Sequence, residues 1–253
     1  MQQPRPLTIL TGASRGLGAA IALQLLQRGA VLLTMSRHPD PALDTAARTA
    51  GAALEQWSID LADSTAAADR LEEWLRGQRN SFSSATLINN AALAGKAGPI
   101  DAEEAHALAA VLRVGLEAPM LLTRAFLRGA HSWNVPLKVL NISSGAGRKT
   151  LGGAAAYCAV KVGLDHFSRV VALDEETRSN SAKIVSLAPG VIDTDMQAAL
   201  RESDPIAFPS QPQFVAMQAA GQLTSPEAAA SSVLAYLARA DFGSHPVADV
   251  RDA

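Results

Sequence analysis

Tyr157 and Lys161 stand four residues apart in Tyr157-Cys158-Ala159-Val160-Lys161, and Ser144 lies thirteen residues before the tyrosine. On a helix, positions i and i+4 share a face, so the ammonium reaches the same small volume as the phenol. A free tyrosine titrates near pH ~10 and is a poor proton donor or acceptor at neutral pH. A cation ~4 Å away, at an effective dielectric of ~20, favours the phenolate by ~4 kcal/mol. That is enough to bring the phenol into the working range of general acid/base chemistry near pH 7. Ser144 can hold a substrate oxygen against the phenol. The pair taken alone is a short motif that also fits an exposed helix with a solvated lysine.

Such a constellation needs a scaffold, and the sequence supplies one. Short β-like runs alternate with longer helical ones, the pattern of a parallel sheet covered on both faces. Strands are expected near Leu7–Thr11, Ala30–Ser36, Leu54–Ile59, Ala85–Asn89, Leu137–Ile142, Lys183–Ala188 and Val247–Val250. Helices are expected near Gly16–Arg28, Pro41–Ala50, Ser64–Gly77, Asp101–Gly129, Ala156–Glu175 and Pro226–Ala238. The fold class is α/β, a doubly wound parallel sheet of about seven strands in one domain spanning 1–253. Residues 1–140 form its cofactor half, and 141–253 its catalytic and substrate half. Pro205, Pro209 and Pro212 punctuate the stretch Asp195–Leu223, which reads as a lid or as a passive surface loop. Within the long middle helix, Pro119 should kink the chain or end its regular hydrogen bonding.

Thr11-Gly12-Ala13-Ser14-Arg15-Gly16-Leu17-Gly18 follows the first apolar run and opens the first helix. Glycines there permit a tight turn and close approach of a pyrophosphate to the helix N-terminus, whose free N–H groups and dipole favour an anion. At the end of the second strand, where an acid would hold a ribose 2′-hydroxyl, the chain has Ser36-Arg37 and no acid until Asp40. Arg37 and Arg15 together suit a 2′-phosphate through charge-assisted bidentate bonds, so NADP(H) is expected over NAD(H). The other reading of Arg37 is a solvated loop residue.

Hydrophobic residues make up 48% and charged residues 18% of the 253 residues, a globular composition. A net charge of −2 gives no basis for nucleic acid or an anionic membrane as a partner. The single cysteine, Cys158, excludes an intramolecular disulfide and fits a reducing compartment. The N-terminal Met1-Gln2-Gln3-Pro4-Arg5-Pro6 lacks the apolar stretch of a leader, and no run is expected to reach membrane-spanning length. A cytoplasmic protein is the expectation. The five histidines are scattered without metal-ligand spacing, so no metal site is expected.

Taken jointly, the glycine turn, Asn89-Asn90-Ala91-Ala92 after a strand, Ser144 and the Tyr157/Lys161 pair resemble the short-chain dehydrogenase/reductase family, over Leu7 to about Val250. Ala118-Pro119-Met120-Leu121-Leu122-Thr123, Asn141 to Gly147, Ala156-Tyr157-Cys158 and Pro189 to Gln197 place the likeness in its sepiapterin reductase and benzil reductase branch. The resemblance implies an NADPH-dependent reductase of small carbonyls, such as 1,2-dicarbonyls. Tyr157 would act as proton donor, Ser144 would bind the carbonyl oxygen, and Lys161 would lower the tyrosine pKa and hold the nicotinamide ribose. Ser143 would be structural and Cys158 a buried inert thiol.

The same resemblance assigns Gly12, Ser14, Arg15, Gly16, Leu17 and Gly18 to the phosphates, Asp60 and Leu61 to adenine, and Asn89 and Ala91 to the adenine ribose. Pro189, Gly190, Ile192 and Thr194 would lie at the carboxamide and phosphates. For Asp60 a capping role is the alternative. Asp249 either matches a substrate-binding aspartate of sepiapterin reductase or is an ordinary surface acid. Met196, Phe208, Phe214 and Met217 either line an apolar pocket or fasten the loop to the core. Where relatives keep an asparagine that supports a water chain, this chain has Gly115, expected to leave room for water or substrate and putting proton relay in doubt. Two other activities stay open: a reductase of simple ketones, alcohols or 3-oxoacyl groups, and a non-catalytic NADP-binding sensor. Relatives pair through the middle and Tyr-bearing helices, so a homodimer or homotetramer is expected.

Overall fold

The structure is a computed structural model describing residues 4–78 and 82–252. Met1-Gln2-Gln3, read above for a leader, lies outside the described residues. Seven strands, β1 (Arg5–Thr11), β2 (Val31–Ser36), β3 (Ala53–Ser58), β4 (Phe82–Asn89), β5 (Leu137–Ile142), β6 (Lys183–Ala188) and β7 (Val247–Asp249), form one parallel sheet. Its order is β3-β2-β1-β4-β5-β6-β7. The order reverses between β1 and β4, and doubly wound sheets bind ligands beyond the carboxyl ends of the strands at such a switch point.

Side-chain alternation along the strands divides the apolar residues between two faces. Leu10, Leu32, Ile88, Leu140 and Leu187 lie under α1 (Gly16–Gln27), α2 (Pro41–Ala50) and, C-terminally, the Pro226–Leu237 helix. Leu7, Ile9, Leu33, Leu87 and Val139 lie on the other face, beneath α3 (Ser64–Gly77) and the middle helix. Asp40 and Asp63 cap α2 and α3 by accepting from Ala42 N and Ala66 N, as short acidic side chains do at helix starts.

The middle helix is not regular. It consists of α4 (Ala105–Leu112), a π-helical turn at Arg113–Glu117, and α5 (Ala118–Ala130). Pro119 follows directly on the π turn, within a continuous helical stretch, and has no N–H to donate back into it. The π turn therefore absorbs the interruption that the proline imposes. By length and composition the continuous stretch Ala105–Trp133 is apolar enough to cross a membrane, contrary to expectation. Ala118, Leu122, Ala125 and Phe126 of this stretch are fully buried against the sheet and α3, so part of its apolar character serves the core.

After β5, a 3₁₀ turn at Gly145–Gly147 leads to α6 (Ala155–Glu176). After β6 come α7 (Asp195–Arg201) and α8 (Gln211–Ala219), then α9 (Pro226–Leu237). The proline-punctuated segment is thus partly helical. A bridge between Ile192 and Thr224 ties its two ends together, with Thr224 N donating to Val191 O and Asp193 N to Thr224 O, each at 2.9 Å.

Candidate active site

β1 delivers the chain into the glycine turn at its carboxyl end. Gly12 has φ +70°, and a Cβ there would come 2.9 Å from the Ala91 backbone. Gly18 is held to its type by contact instead: a Cβ would stand 2.0 Å from the Gly12 carbonyl oxygen. Asn90 closes the turn from β4. Its Nδ2 donates to Thr11 O and Gly12 O, while Thr11 Oγ1 accepts from Asn90 N and Ala91 N. Helix α1 starts without a side-chain cap and without an acid in its first turn. The donors and the dipole of that terminus therefore favour an anion at this point, which fits a dinucleotide pyrophosphate. Thr194 approaches the same turn, since a Cβ on Gly16 would meet its methyl at 3.4 Å.

The remaining expected cofactor residues divide. Ser14 and Arg37 are exposed, the latter just beyond β2. Pro189, Gly190 and Ile192 follow β6 at the same end of the sheet, and the bridge to Thr224 is made by the neighbours of Ile192. Asp60 Oδ1 accepts from Ala62 N at 2.9 Å in the turn before α3, whose cap is Asp63, and Leu61 is buried in the core under α3. Asn89 turns inward. Its Nδ2 donates to Asn141 Oδ1 at 2.8 Å, and its buried Oδ1 lacks a partner. Arg15 reaches across to the start of α7. Its Nη1 lies 3.1 Å from Asp195 Oδ2, with side chains 71% and 79% exposed. A pair so exposed contributes about 0–1 kcal/mol, so its guanidinium is readily released to another anion.

Around the corner formed by β5 and α6, Ser144, Tyr157 and Lys161 converge. Ser144 precedes the 3₁₀ turn, and its Oγ accepts from Ala146 N. Burial raises the Tyr157 phenol pKa, and a hydrogen bond with the Ser144 hydroxyl partly opposes this. The lowered phenol pKa expected from Lys161 is therefore not what the geometry gives. Lys161 Nζ stands 5.5 Å from the Tyr157 ring centroid and donates to Ile142 O at 2.8 Å. Its side chain is 2% exposed, and burial lowers its own pKa to about 8, with Asp165 opposing the fall. At neutral pH this corner holds a protonated phenol beside a buried cation, a combination able to donate a proton to an oxygen placed between Ser144 and Tyr157.

Three expectations are corrected here. Gly115 leaves no space: a Cβ on it would lie 2.6 Å from Val160 Cγ1, so Val160 of α6 fills the position and the π turn crosses α6 closely. Asp249 is neither a free substrate ligand nor a surface acid. It is buried and bonded to Arg251 through both carboxylate oxygens, and the Arg251 contact holds its pKa below the usual range. Cys158 is half-buried rather than buried. In the proline-punctuated segment, Phe208 is fully buried and its ring packs at a tilt on Phe214, centroids 5.6 Å apart, which fastens the segment, whereas Met196 and Met217 are half-buried.

Sequence reasoning missed Asp165 and Arg148. Asp165 repeats the four-residue spacing once more beyond Tyr157 and Lys161, so the same helical-face argument could have found it. Arg148 shows no such signal, because only the folded 3₁₀ turn brings it to the site. Among the described residues, no three His, Cys, Asp or Glu side chains gather where a metal ion could sit.

Comparison with known proteins agrees with this architecture. Residues 7–205 match the family model for short chain dehydrogenase, and the chain belongs to that family of oxidoreductases acting on CH–OH or C=O groups. It is similar to a benzil reductase ((S)-benzoin forming) of Bacillus cereus, 36% identical over 235 residues, covering 92% of this chain and 94% of the relative. It is 31% identical over 211 residues to the sepiapterin reductase of Meriones unguiculatus, covering 77% of each. A short-chain dehydrogenase/reductase from Burkholderia vietnamiensis superposes with a TM-score of 0.68 at 34% identity, covering 99% of both chains.

Proposed function

We propose that the protein is an NADPH-dependent reductase of small carbonyl compounds, with 1,2-dicarbonyls as its substrate class. The observation that carries this reading is the convergence of Ser144, Tyr157 and Lys161 at the sheet end that also bears the glycine turn. When bound, a nicotinamide dinucleotide supplies a hydride to the carbonyl carbon. Tyr157 then gives its proton to the substrate oxygen. A phenol held above its ordinary pKa is protonated at pH 7, which is the form this role needs. Ser144 orients that oxygen and hydrogen-bonds the phenolate left behind. Lys161, charged below pH about 8, offers its cation to the phenolate so formed, and the same ammonium would hold a ribose hydroxyl of the bound cofactor.

Residues 1–140 provide cofactor binding, and 141–253 provide catalysis and substrate selection. Gly12, Gly16, Gly18 and Thr194 sit where the pyrophosphate is expected, and the absence of an acid after β2 together with Arg37 favours a 2′-phosphate. The dicarbonyl class rests on the likeness to benzil reductase and sepiapterin reductase.

A homodimer is proposed on the outward face of α6, where Val162, Val170 and Leu173 are exposed, next to Leu112 and Met120 of the middle helix. An apolar stripe of this kind is unfavourable in water and suits a partner helix. Light scattering tests it, and a monomer refutes it. A cytoplasmic location is proposed from the single cysteine, and cell fractionation tests it.

The functional test is NADPH consumption with benzil, a 1-phenyl-1,2-dione, sepiapterin, a simple ketone and an acetoacetyl thioester, with NADH in parallel. Turnover of the diketones with NADPH supports the reading. Tight NADPH binding without turnover on any of them sinks it.

A further inference from the structure

The 3₁₀ turn that follows Ser144 is fastened at both ends to one side chain. At its front, Ser143 Oγ donates to Asp165 Oδ1 at 2.6 Å. At its back, Arg148 Nε stands 3.6 Å from Asp165 Oδ2. Between them, Gly147 lies so close that a Cβ would be 2.8 Å from Asp165 Oδ2 and 3.1 Å from the Lys161 carbonyl oxygen. Ser186 Oγ of β6 donates to Asp165 Oδ1 at 2.7 Å, tying the same carboxylate to the sheet. Asp165 is 2% exposed, and its Oδ2 has no hydrogen bond. A buried carboxylate is costly unless its surroundings compensate it, and here the compensation comes from the groups around the turn.

We propose that Asp165 is a positioning residue, a single buried anchor that holds both ends of the Ser144 turn against the helix bearing Tyr157 and Lys161. The role rests on the carbonyl-reductase reading above. No hydrogen bond joins Ser144 to Asp165 among the described residues. Asp165 acts through Ser143 and Arg148, which bracket Ser144 in the chain, so releasing either end lets the Ser144 hydroxyl drift from the phenol. A displacement of ~1 Å at a reacting group can cost ~10²-fold in rate. The charged and titratable groups at this corner are Tyr157, Cys158, Lys161 and Asp165 on α6, Arg148 on the turn, and Asp249 and Arg251 at the end of the chain. Arg148 also lies 3.6 Å from Asp249 and donates to Ala248 O at 2.8 Å, so β7 steadies the back of the turn. The negative charge of Asp165 also favours the Lys161 cation one helical turn away.

Ser143→Ala removes the front tether and leaves the charge, whereas Asp165→Asn removes the charge and keeps the size. Both are expected to lower kcat by about 10–100-fold, and Ser143→Ala should keep KM for NADPH within about twofold, because it touches neither the cofactor residues nor the Lys161 charge. Two readouts need no substrate. In a Tyr236→Phe background the other tyrosine of the chain, Tyr157, is the only one left, and its ultraviolet titration should move upward in both variants as the Ser144 bond weakens. Lysine NMR should show the Lys161 titration moving down in Asp165→Asn and staying in place in Ser143→Ala. If the parent enzyme turns over no carbonyl, the reductase reading fails while these titrations still decide the anchoring role. An unmoved Tyr157 titration in both variants overturns the proposal. So does a loss of kcat no larger than the loss of folded protein measured by circular dichroism. Should Asp165→Asn fail to fold, the Tyr157 titration in Ser143→Ala decides between the same two outcomes.

Discussion

Replacing Lys161 with methionine should abolish turnover and make the ligand-free protein more stable at pH 7. The amine is almost fully buried, and its pKa falls from the ordinary 10.5 to about 8. At ~1.4 kcal/mol for each tenfold in the proton equilibrium, the folded state gives up about 3 kcal/mol by keeping this group charged. Methionine matches the stem and carries no charge, but it leaves the Ile142 carbonyl without the Nζ donor, an offset of about 1 kcal/mol. The net gain is about 2 kcal/mol, or a rise in Tm of about 4–8 °C for a chain of this size.

The pH dependence of the gap is the sharper check. Below pH about 8 both folded and unfolded parent chains carry the Lys161 proton, so the gap is constant. Between about 8 and 10.5 the unfolded parent binds the proton and the folded parent does not. Parental stability therefore rises with pH relative to the variant, and the gap narrows by ~1.4 kcal/mol per pH unit. Denaturant melts of both proteins at pH 7, 9 and 10 would measure it. A variant less stable than the parent at pH 7, or a gap that stays constant up to pH 10, refutes the reasoning.

Tyr157→Phe should lower kcat by at least ~10²-fold, the usual scale for a lost general acid, with NADPH affinity preserved, as fluorescence titration of the cofactor would show. Arg37→Glu should raise KM for NADPH by about 10–100-fold, from the loss of one charge-assisted interaction worth ~1.5–3 kcal/mol, and leave KM for NADH unchanged or lower. Equal losses for both cofactors would mean that Arg37 does not read the phosphate. Gly115→Ala should cost about 1–3 kcal/mol through overpacking on Val160. In combination with Val160→Ala the two costs should sum to more than the double variant loses, and additive costs in urea melts would show that Val160 is not what confines residue 115.

The strand set was readable because parallel strands covered on both faces appear as short apolar runs such as Leu7–Leu10 and Leu137–Ile142, each followed by a turn signal. The site residues were readable because Tyr157 and Lys161 share one helix and their spacing is local. What stayed hidden depends on contacts between distant segments. The π turn at Arg113–Glu117 follows from Pro119 in principle, but whether a proline kinks, ends or merely re-registers a helix is decided by its neighbours. Gly115 looked like a gap because its contact, Val160, lies on another helix. The phenol pKa was misjudged by assuming a distance from spacing alone. The helical face brings Lys161 near, but Ile142 O takes its amine and burial dominates. Asp249 looked like a surface acid because nothing local announces Arg148, about a hundred residues away, or the burial that β6 imposes.

The Ile192–Thr224 bridge bears on how such a chain can change over evolutionary time. Because the two ends of the lid are joined by backbone hydrogen bonds, the segment between them is a closed excursion from the scaffold. Closing a loop twice as long costs only ~0.6 kcal/mol more. The exposed parts of the segment can thus be lengthened or shortened with little effect on the sheet as long as the buried Phe208 is kept, while Ser144 keeps its place after β5 and Tyr157 and Lys161 keep theirs on α6. Variation in what the enzyme accepts is in this way insulated from variation in how it folds. A transplanted segment that begins after Asp195, so that Thr194 stays at the glycine turn, and ends before Thr224 is the natural unit for redirecting this reductase towards new carbonyls.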